Sequence, residues 1–329
     1  MRAAKRVPVV GAALVSAGVL LLLLGVTLGF GSRVWIWGGV LAFPIAALLA
    51  ALTLALGVVV VTVAVRPLRT KSNVVVTSTV AAAITATAAA ALITLPPVVP
   101  LSALPDRSEY SELRALAWNV RQEGVPAETL VSLLDSTDAD IAVFAELYSG
   151  GGAERFPGGH FPDGYQMLDS EAIAVTAFIS TALGEYKVVA ADNTGAWTGF
   201  VAEPVDATSD SPRIIAVHVT RMSLIGGDGL WQHGLDWIAA QCATPNTIAL
   251  GDFNASSANI PDGLGMCKLA TPGQNVGLAP TWPTSVPTPL GATIDQVLAT
   301  SDWRTVFART LDIDAPGTDH RPVFSLLDR

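Results

Sequence analysis

The sequence predicts an α/β fold: two packed sheets flanked by helices, preceded by about three transmembrane helices. Three observations predict it: an apolar first third, a later series of short apolar runs with helical text between them, and an abrupt change of charge where the two meet. Of 329 residues 51% are hydrophobic and only 14% charged, and the mean hydropathy is +0.49, too apolar for an ordinary soluble enzyme. No Asp or Glu precedes Asp106, whereas seven of the 19 basic residues do. The segment from Asp106 onward therefore carries all 28 acidic residues against 12 basic ones, a formal charge of −16.

The first third reads as membrane. Continuous apolar runs cover 7–30 and 34–65, and a third run, rich in Ala and Thr, covers 73–95. Each reaches the roughly 20 residues that span a bilayer core. The second exceeds that length and is expected to tilt or bend near Pro44. Because two further runs follow the first, a multi-pass anchor is expected over a cleavable signal peptide. Arg2, Lys5 and Arg6 precede the first run, and Arg66, Arg69 and Lys71 lie between the second and third. Positive flanks stay in the cytoplasm, so the expected topology is N-terminus inside and C-terminal domain extracytoplasmic, at the cell membrane. Cys242 and Cys267 both lie in that outer part, where an oxidising compartment permits a disulfide.

Pro96, Pro97, Pro100 and Pro105 make an extended connector over 96–110, which no helix continues. The remaining 111–329 is enough for one sizeable domain. Apolar runs bounded by polar or Gly/Pro signals predict strands at 113–118, 141–145, 173–179, 186–190, 199–202, 213–219, 247–250, 296–299 and 323–326. Helical text fills 127–134 and 229–241, the latter with Leu230, Leu235 and Ile238 at near-helical spacing. Glycine clusters at 150–152 and 158–159 lack the Lys-Ser/Thr or spaced pattern of a phosphate-cradling loop and predict a flexible rim. The Pro/Thr/Gly-rich stretch 271–291 is a second long loop.

Two polar clusters interrupt the apolar text near the C-terminus. Asp252-Phe253-Asn254 follows the run 247–251, and Asp319-His320 stands before Arg321-Pro322-Val323. A carboxylate and an amide two residues apart at a strand end project to one side. An Asp-His pair offers a hard oxygen to a metal and an imidazole to a phosphate. Such parts suit metal-assisted attack of water on a phosphoester. Adding the polar residues at other predicted strand ends gives the candidate set Asn119, Glu146, His218, Asp252, Asn254, Asp295, Asp319 and His320.

This ordered set resembles the endonuclease/exonuclease/phosphatase superfamily over roughly 113–327. The matching text is Ala117-Trp118-Asn119-Val120, Asp140-Ile141-Ala142-Val143-Phe144-Ala145-Glu146, Ala216-Val217-His218-Val219, Gly251-Asp252-Phe253-Asn254, Thr293-Ile294-Asp295-Gln296-Val297 and Thr318-Asp319-His320-Arg321-Pro322-Val323. The resemblance implies a four-layer α/β/β/α sandwich of two mixed sheets. It implies Mg²⁺, with Mn²⁺ as the alternative, held by Glu146 with Asn119 and Asp319. By the same analogy Asp252 orients and deprotonates water, and Asn254 donates to the phosphate. His320, oriented by Asp295, stabilises the non-bridging oxygens, and His218 binds phosphate or protonates the leaving oxygen. Two departures stand out: Arg121 sits where many relatives carry an acid, and Ser180-Thr181 where many carry Ser-Arg; for Arg221 a substitute cation and a structural salt bridge are both open. His160 and His233 match no family position; they are expected in a loop and on a helix face.

The charge of −16 disfavours a nucleic-acid substrate without excluding one, since affinity for a polyanion comes largely from Lys and Arg. Tethering to the bilayer favours a lipid-linked or envelope phosphoester. The expected function is a membrane-anchored, divalent-metal-dependent phosphoesterase acting on a mono- or diester. An extracytoplasmic nuclease of the same fold and a non-catalytic phospholigand-binding relative are the alternatives.

Overall fold

The computed structural model describes residues 71–94, 96–107, 112–122, 124–147, 162–170, 173–194, 197–222, 229–271 and 278–329, with Phe43 and six isolated positions between 49 and 59. The expected runs 7–30 and, for the most part, 34–65 lie outside these residues, as do both glycine clusters and His160. The third expected span falls on helix α1, Lys71–Thr94. Among the described residues no helix is long and apolar enough to cross a membrane, so the anchor remains a reading of the sequence.

The described strands form two sheets. The first runs, in spatial order, β1 (Val99–Pro100), β12 (Arg304–Asp312), β13 (Val323–Asp328), β2 (Leu113–Asn119), β3 (Ile141–Ala145), β5 (Ile173–Ser180) and β4 (Tyr165–Ser170). The second runs β10 (Lys268–Leu269), β11 (Asp295–Ala299), β9 (Thr247–Asp252), β8 (Arg213–His218), β7 (Gly199–Pro204) and β6 (Tyr186–Asp192). Successive side chains on a strand face opposite ways, and here both faces are covered. Ala115, Ala117, Ile141, Val143, Val175 and Ala177 of the first sheet meet Ile214, Ala216, Ile248, Leu250 and Val297 of the second in one buried interior. The alternate set Leu116, Trp118, Phe144 and Phe324 packs under α2 (Ala127–Thr137) through Leu130 and Leu134. On the other side Ile215, Val217 and Ala249 lie under α3 (Gly229–Gln241), against Trp231, Leu235 and Ile238. Burial on both faces explains why these strands read as continuous apolar runs rather than alternating ones.

Four strands escaped the sequence. β4 carries Gln166 and Asp169, β12 carries Arg304 and Arg309, and β10 is two residues long. β1 lies in the proline connector and pairs in parallel with β12, Val99 opposite Leu311. Proline is tolerated there because the strand is at a sheet edge.

Strand direction explains where the polar residues gather. β2 and β3 are parallel, Asn119 opposite Ala145, and so are β8 and β9, His218 opposite Asp252. Antiparallel β11 begins at the same end, with Asp295 opposite Asp252. β13 runs antiparallel to β2, Val323 opposite Ala117, which brings the preceding Asp319-His320 to the end of β2. All the polar strand ends therefore meet at one edge of the sandwich.

Cys242, just after α3, is disulfide-bonded to Cys267.

Candidate active site

Asn119, the last residue of β2, lies at the centre. Its Nδ2 donates to Glu146 Oε1 at 3.0 Å and to Asp252 Oδ2 at 2.9 Å, while its Oδ1 accepts the backbone N–H of Arg121 at 2.8 Å. Its amide nitrogen thus bridges the two carboxylates. Glu146, one residue past β3, has φ +59°, a left-handed turn that a non-glycine residue rarely adopts. Its N–H donates to Ala174 O at 2.7 Å, and its Oε2 accepts from Gln122 N at 3.0 Å, so backbone and side chain are both held.

Asp295 Oδ2 lies 2.8 Å from His320 Nδ1, and Asp295 Oδ1 accepts from Asn119 N at 3.2 Å. His320 is further fixed through its backbone: its N–H donates to Thr318 Oγ1, and its carbonyl accepts from Trp118 Nε1 at 3.0 Å. Burial works against a charged imidazole here. The Asp295 carboxylate outweighs it, by its charge and its hydrogen bond, with Asp252 and Asp319 adding to the effect, and raises His320 to about 9. Asp252 shows the reverse pressure. Burial and the nearby Asp295 charge push its carboxyl up to about 7, opposed by His320, the Asn119 amide and the Asn254 N–H. A carboxylate tuned close to neutrality is suited to accept a proton from water at physiological pH.

Asn254 is held through backbone and side chain alike. Its N–H closes an Asx turn on Asp252 Oδ1 at 2.8 Å, and its Nδ2 donates to Val219 O at 2.8 Å. The amide has a second N–H to donate. His218 is almost fully buried, with Nε2 3.7 Å from Glu146 Oε1 and Nδ1 without a partner. Burial lowers it to about 4, more than the Glu146 charge can offset. Burial therefore favours the neutral ring here.

Two tryptophans that sequence reasoning missed border the histidines. Trp197 stacks on His218, rings 5.0 Å apart and 6° from parallel. Trp282 leans over His320 at 6.3 Å and donates Nε1–H to Asp319 Oδ2 at 3.0 Å. Both sit in irregular segments, where no periodicity marks a partner; an aromatic residue in a polar loop was the available signal. His233, expected on a helix face, is on α3 and pairs with Asp192 at 2.8 Å. Arg221, shortly after β8, is exposed.

The donor chemistry fits a hard divalent cation. Four carboxylates, Glu146, Asp252, Asp295 and Asp319, gather at one edge of the sandwich, and carboxylate oxygen is the ligand such ions prefer. Asp252, Asp295 and His320 each bring a potential ligand atom within 4.8 Å of the others. Within that trio Asp295 already engages His320 Nδ1, so one ligand atom of each is taken up by their mutual hydrogen bond. Glu146 and Asp319, with side chains 21% and 28% exposed, are the carboxylates open to the cleft.

Comparison with known proteins places this geometry. A model of the Endonuclease/Exonuclease/phosphatase family matches residues 116–320. No curated protein matches the sequence. Among solved structures, an endonuclease/exonuclease/phosphatase from Bacteroides vulgatus superposes with TM-score 0.51 at 13% identity, covering 67% of this chain and 99% of its own. A humanized D. rerio TDP2 gives 0.51 at 13%, covering 67% and 100%. The 3′ phosphatase NExo from Neisseria, bound to a product DNA hairpin, gives 0.50 at 16%, covering 66% and 100%. At such identities the structures establish the fold alone. The family match takes in every strand end that contributes to the cleft, from Asn119 to His320, and more than half of the chain; the protein belongs to the endonuclease/exonuclease/phosphatase family.

Proposed function

We propose that the chain is a membrane-anchored, divalent-metal-dependent phosphoesterase that hydrolyses a lipid-linked or envelope phosphoester by in-line attack of water. Members of its family are generally hydrolases of phosphoester bonds. The observation that carries the reading is the position of Asn119, whose one amide nitrogen bonds both Glu146 and Asp252. It sets an open carboxylate beside a carboxyl tuned to accept a proton.

Glu146 and Asp319 would hold the cation, Mg²⁺ by donor preference. When bound, it neutralises charge on a phosphate oxygen and favours approach of the nucleophile. Asp252 orients the water and takes its proton. His320, kept protonated by Asp295, faces charge that builds on the non-bridging oxygens. Asn254 offers its free amide N–H, and neutral His218 a ring N–H, to the same phosphate. Asn119 keeps Glu146 and Asp252 at fixed separation, so neither has to reorganise during the reaction.

An outward-facing domain is supported by the positive flanks of the apolar runs and by the Cys242–Cys267 disulfide, a bond that persists in oxidising compartments. The test is hydrolysis of a phosphoester panel by the purified protein with Mg²⁺ against chelator. Metal-dependent turnover lost in Asp252→Ala is expected. Undiminished turnover in that variant contradicts the role given to Asp252, and salt-sensitive nicking of plasmid in preference to the panel would favour the nuclease alternative.

A further inference from the structure

Arg121 is held in place by the catalytic residues themselves. It and Gln122 are consecutive non-glycine residues at φ +47° and +51°. Two site side chains hold them there: Asn119 Oδ1 accepts Arg121 N–H, and Glu146 Oε2 accepts Gln122 N–H. The loop is pressed from behind as well. A Cβ on Gly124 would fall 2.1 Å from Gly317 O, and one on Gly317 would fall 2.0 Å from Gly124 O, so this loop and the one leading to Asp319 touch backbone to backbone. The outcome is a guanidinium 60% exposed beside Asp319, with Nε 3.7 Å from Asp319 Oδ1.

That contact is too long for a hydrogen bond and too exposed to fix the side chain. Among the described residues no hydrogen bond engages the guanidinium, so its fork of donors is free beside Asp319. Guanidinium is the group best matched to two phosphate oxygens at once. Its attraction grows with the charge of the partner, and a terminal phosphate carries a second negative charge that a diester lacks.

We propose that Arg121 is a substrate-binding residue that grips the non-reacting oxygens of a terminal, dianionic phosphate, giving the site a preference for phosphomonoesters over diesters. The proposal rests on the reading of this cleft as a phosphoesterase site. The competing role is a purely structural one, neutralising Asp319.

The experiment uses the full chain in detergent, as wild type, Arg121→Ala and Arg121→Lys. It measures turnover of 4-nitrophenyl phosphate and bis(4-nitrophenyl) phosphate, and inorganic phosphate binding by calorimetry. Arg121→Ala is expected to raise KM for the monoester and weaken phosphate binding by about tenfold each, the scale of one lost charge-assisted contact. The diester should change by less than about threefold, and Arg121→Lys should recover only part of the loss. Equal loss on both esters, or unchanged phosphate binding, overturns the proposal and favours the structural role. If the wild type turns over neither ester, the phosphoesterase reading fails, and phosphate binding alone still decides Arg121.

Discussion

His320 Nδ1 lies 2.8 Å from Asp295 Oδ2, and the carboxylate of that pair is wholly buried. The pairing decides the charge of the imidazole, because burial alone would strip its proton. Asp295→Asn removes the anion and keeps the shape, so the His320 pKa must fall from about 9. Hydrolysis that needs the imidazolium should then lose its alkaline limb at lower pH than in the wild type. A pH–rate profile of the two proteins checks this, and an unmoved limb would show that His320 does not act as a cation.

The acid limb belongs to Asp252, which must be deprotonated to act as a base. Its raised value of about 7 is set by burial and by the Asp295 charge. Rates should climb as pH approaches 7 from below, and raising Mg²⁺ from subsaturating to saturating should move the limb lower, since a nearby cation favours the carboxylate. Asn119→Asp replaces the bridging amide with a third carboxyl between Glu146 and Asp252, which should move the limb upward. The two limbs are properties of a coupled group and should be fitted as such.

His218 should behave unlike His320. Its value of about 4 predicts a ring that stays neutral from pH 5.5 to 8, visible as unchanging imidazole NMR shifts over that range. Trp197→Ala exposes the stacked face to water and should move the value upward, toward the ordinary ~6.5 of histidine. Trp197→Phe, which keeps an aromatic face, should move it less. Titration of His218 near 6.5 in the wild type would contradict the neutral role.

The disulfide closes a loop with a sequence separation of 25 and ties the end of α3 to the segment before β10. Cys242→Ser should lower stability by about 2–4 kcal/mol, the range for loops of this size. Denaturant unfolding measures it. Turnover at low temperature should be unaffected, because neither cysteine contacts the cleft.

Much of this was legible because burial on both faces leaves an unbroken apolar run, as in Ile141–Ala145 and in Ile248, Ala249 and Leu250 of β9. Polar residues at the ends of such runs, Glu146 and Asp252 among them, stood out for the same reason. β12 did not, because Arg304 and Arg309 lie near the sheet edge and read as loop. The bridging role of Asn119 was out of reach, since the side of its amide that faces the carboxylates depends on Arg121 adopting φ +47°. Trp197 and Trp282 were missed because ring contacts across separate loops leave no spacing in the sequence.

The most direct test of the central claim, that this cleft drives water onto phosphorus, is hydrolysis in ¹⁸O-labelled water with Mg²⁺ present. The account predicts one solvent oxygen in the phosphate product of each turnover, and none of that product from Asp252→Asn. Label in the alcohol, or the same labelled phosphate at wild-type rate from Asp252→Asn, would contradict it.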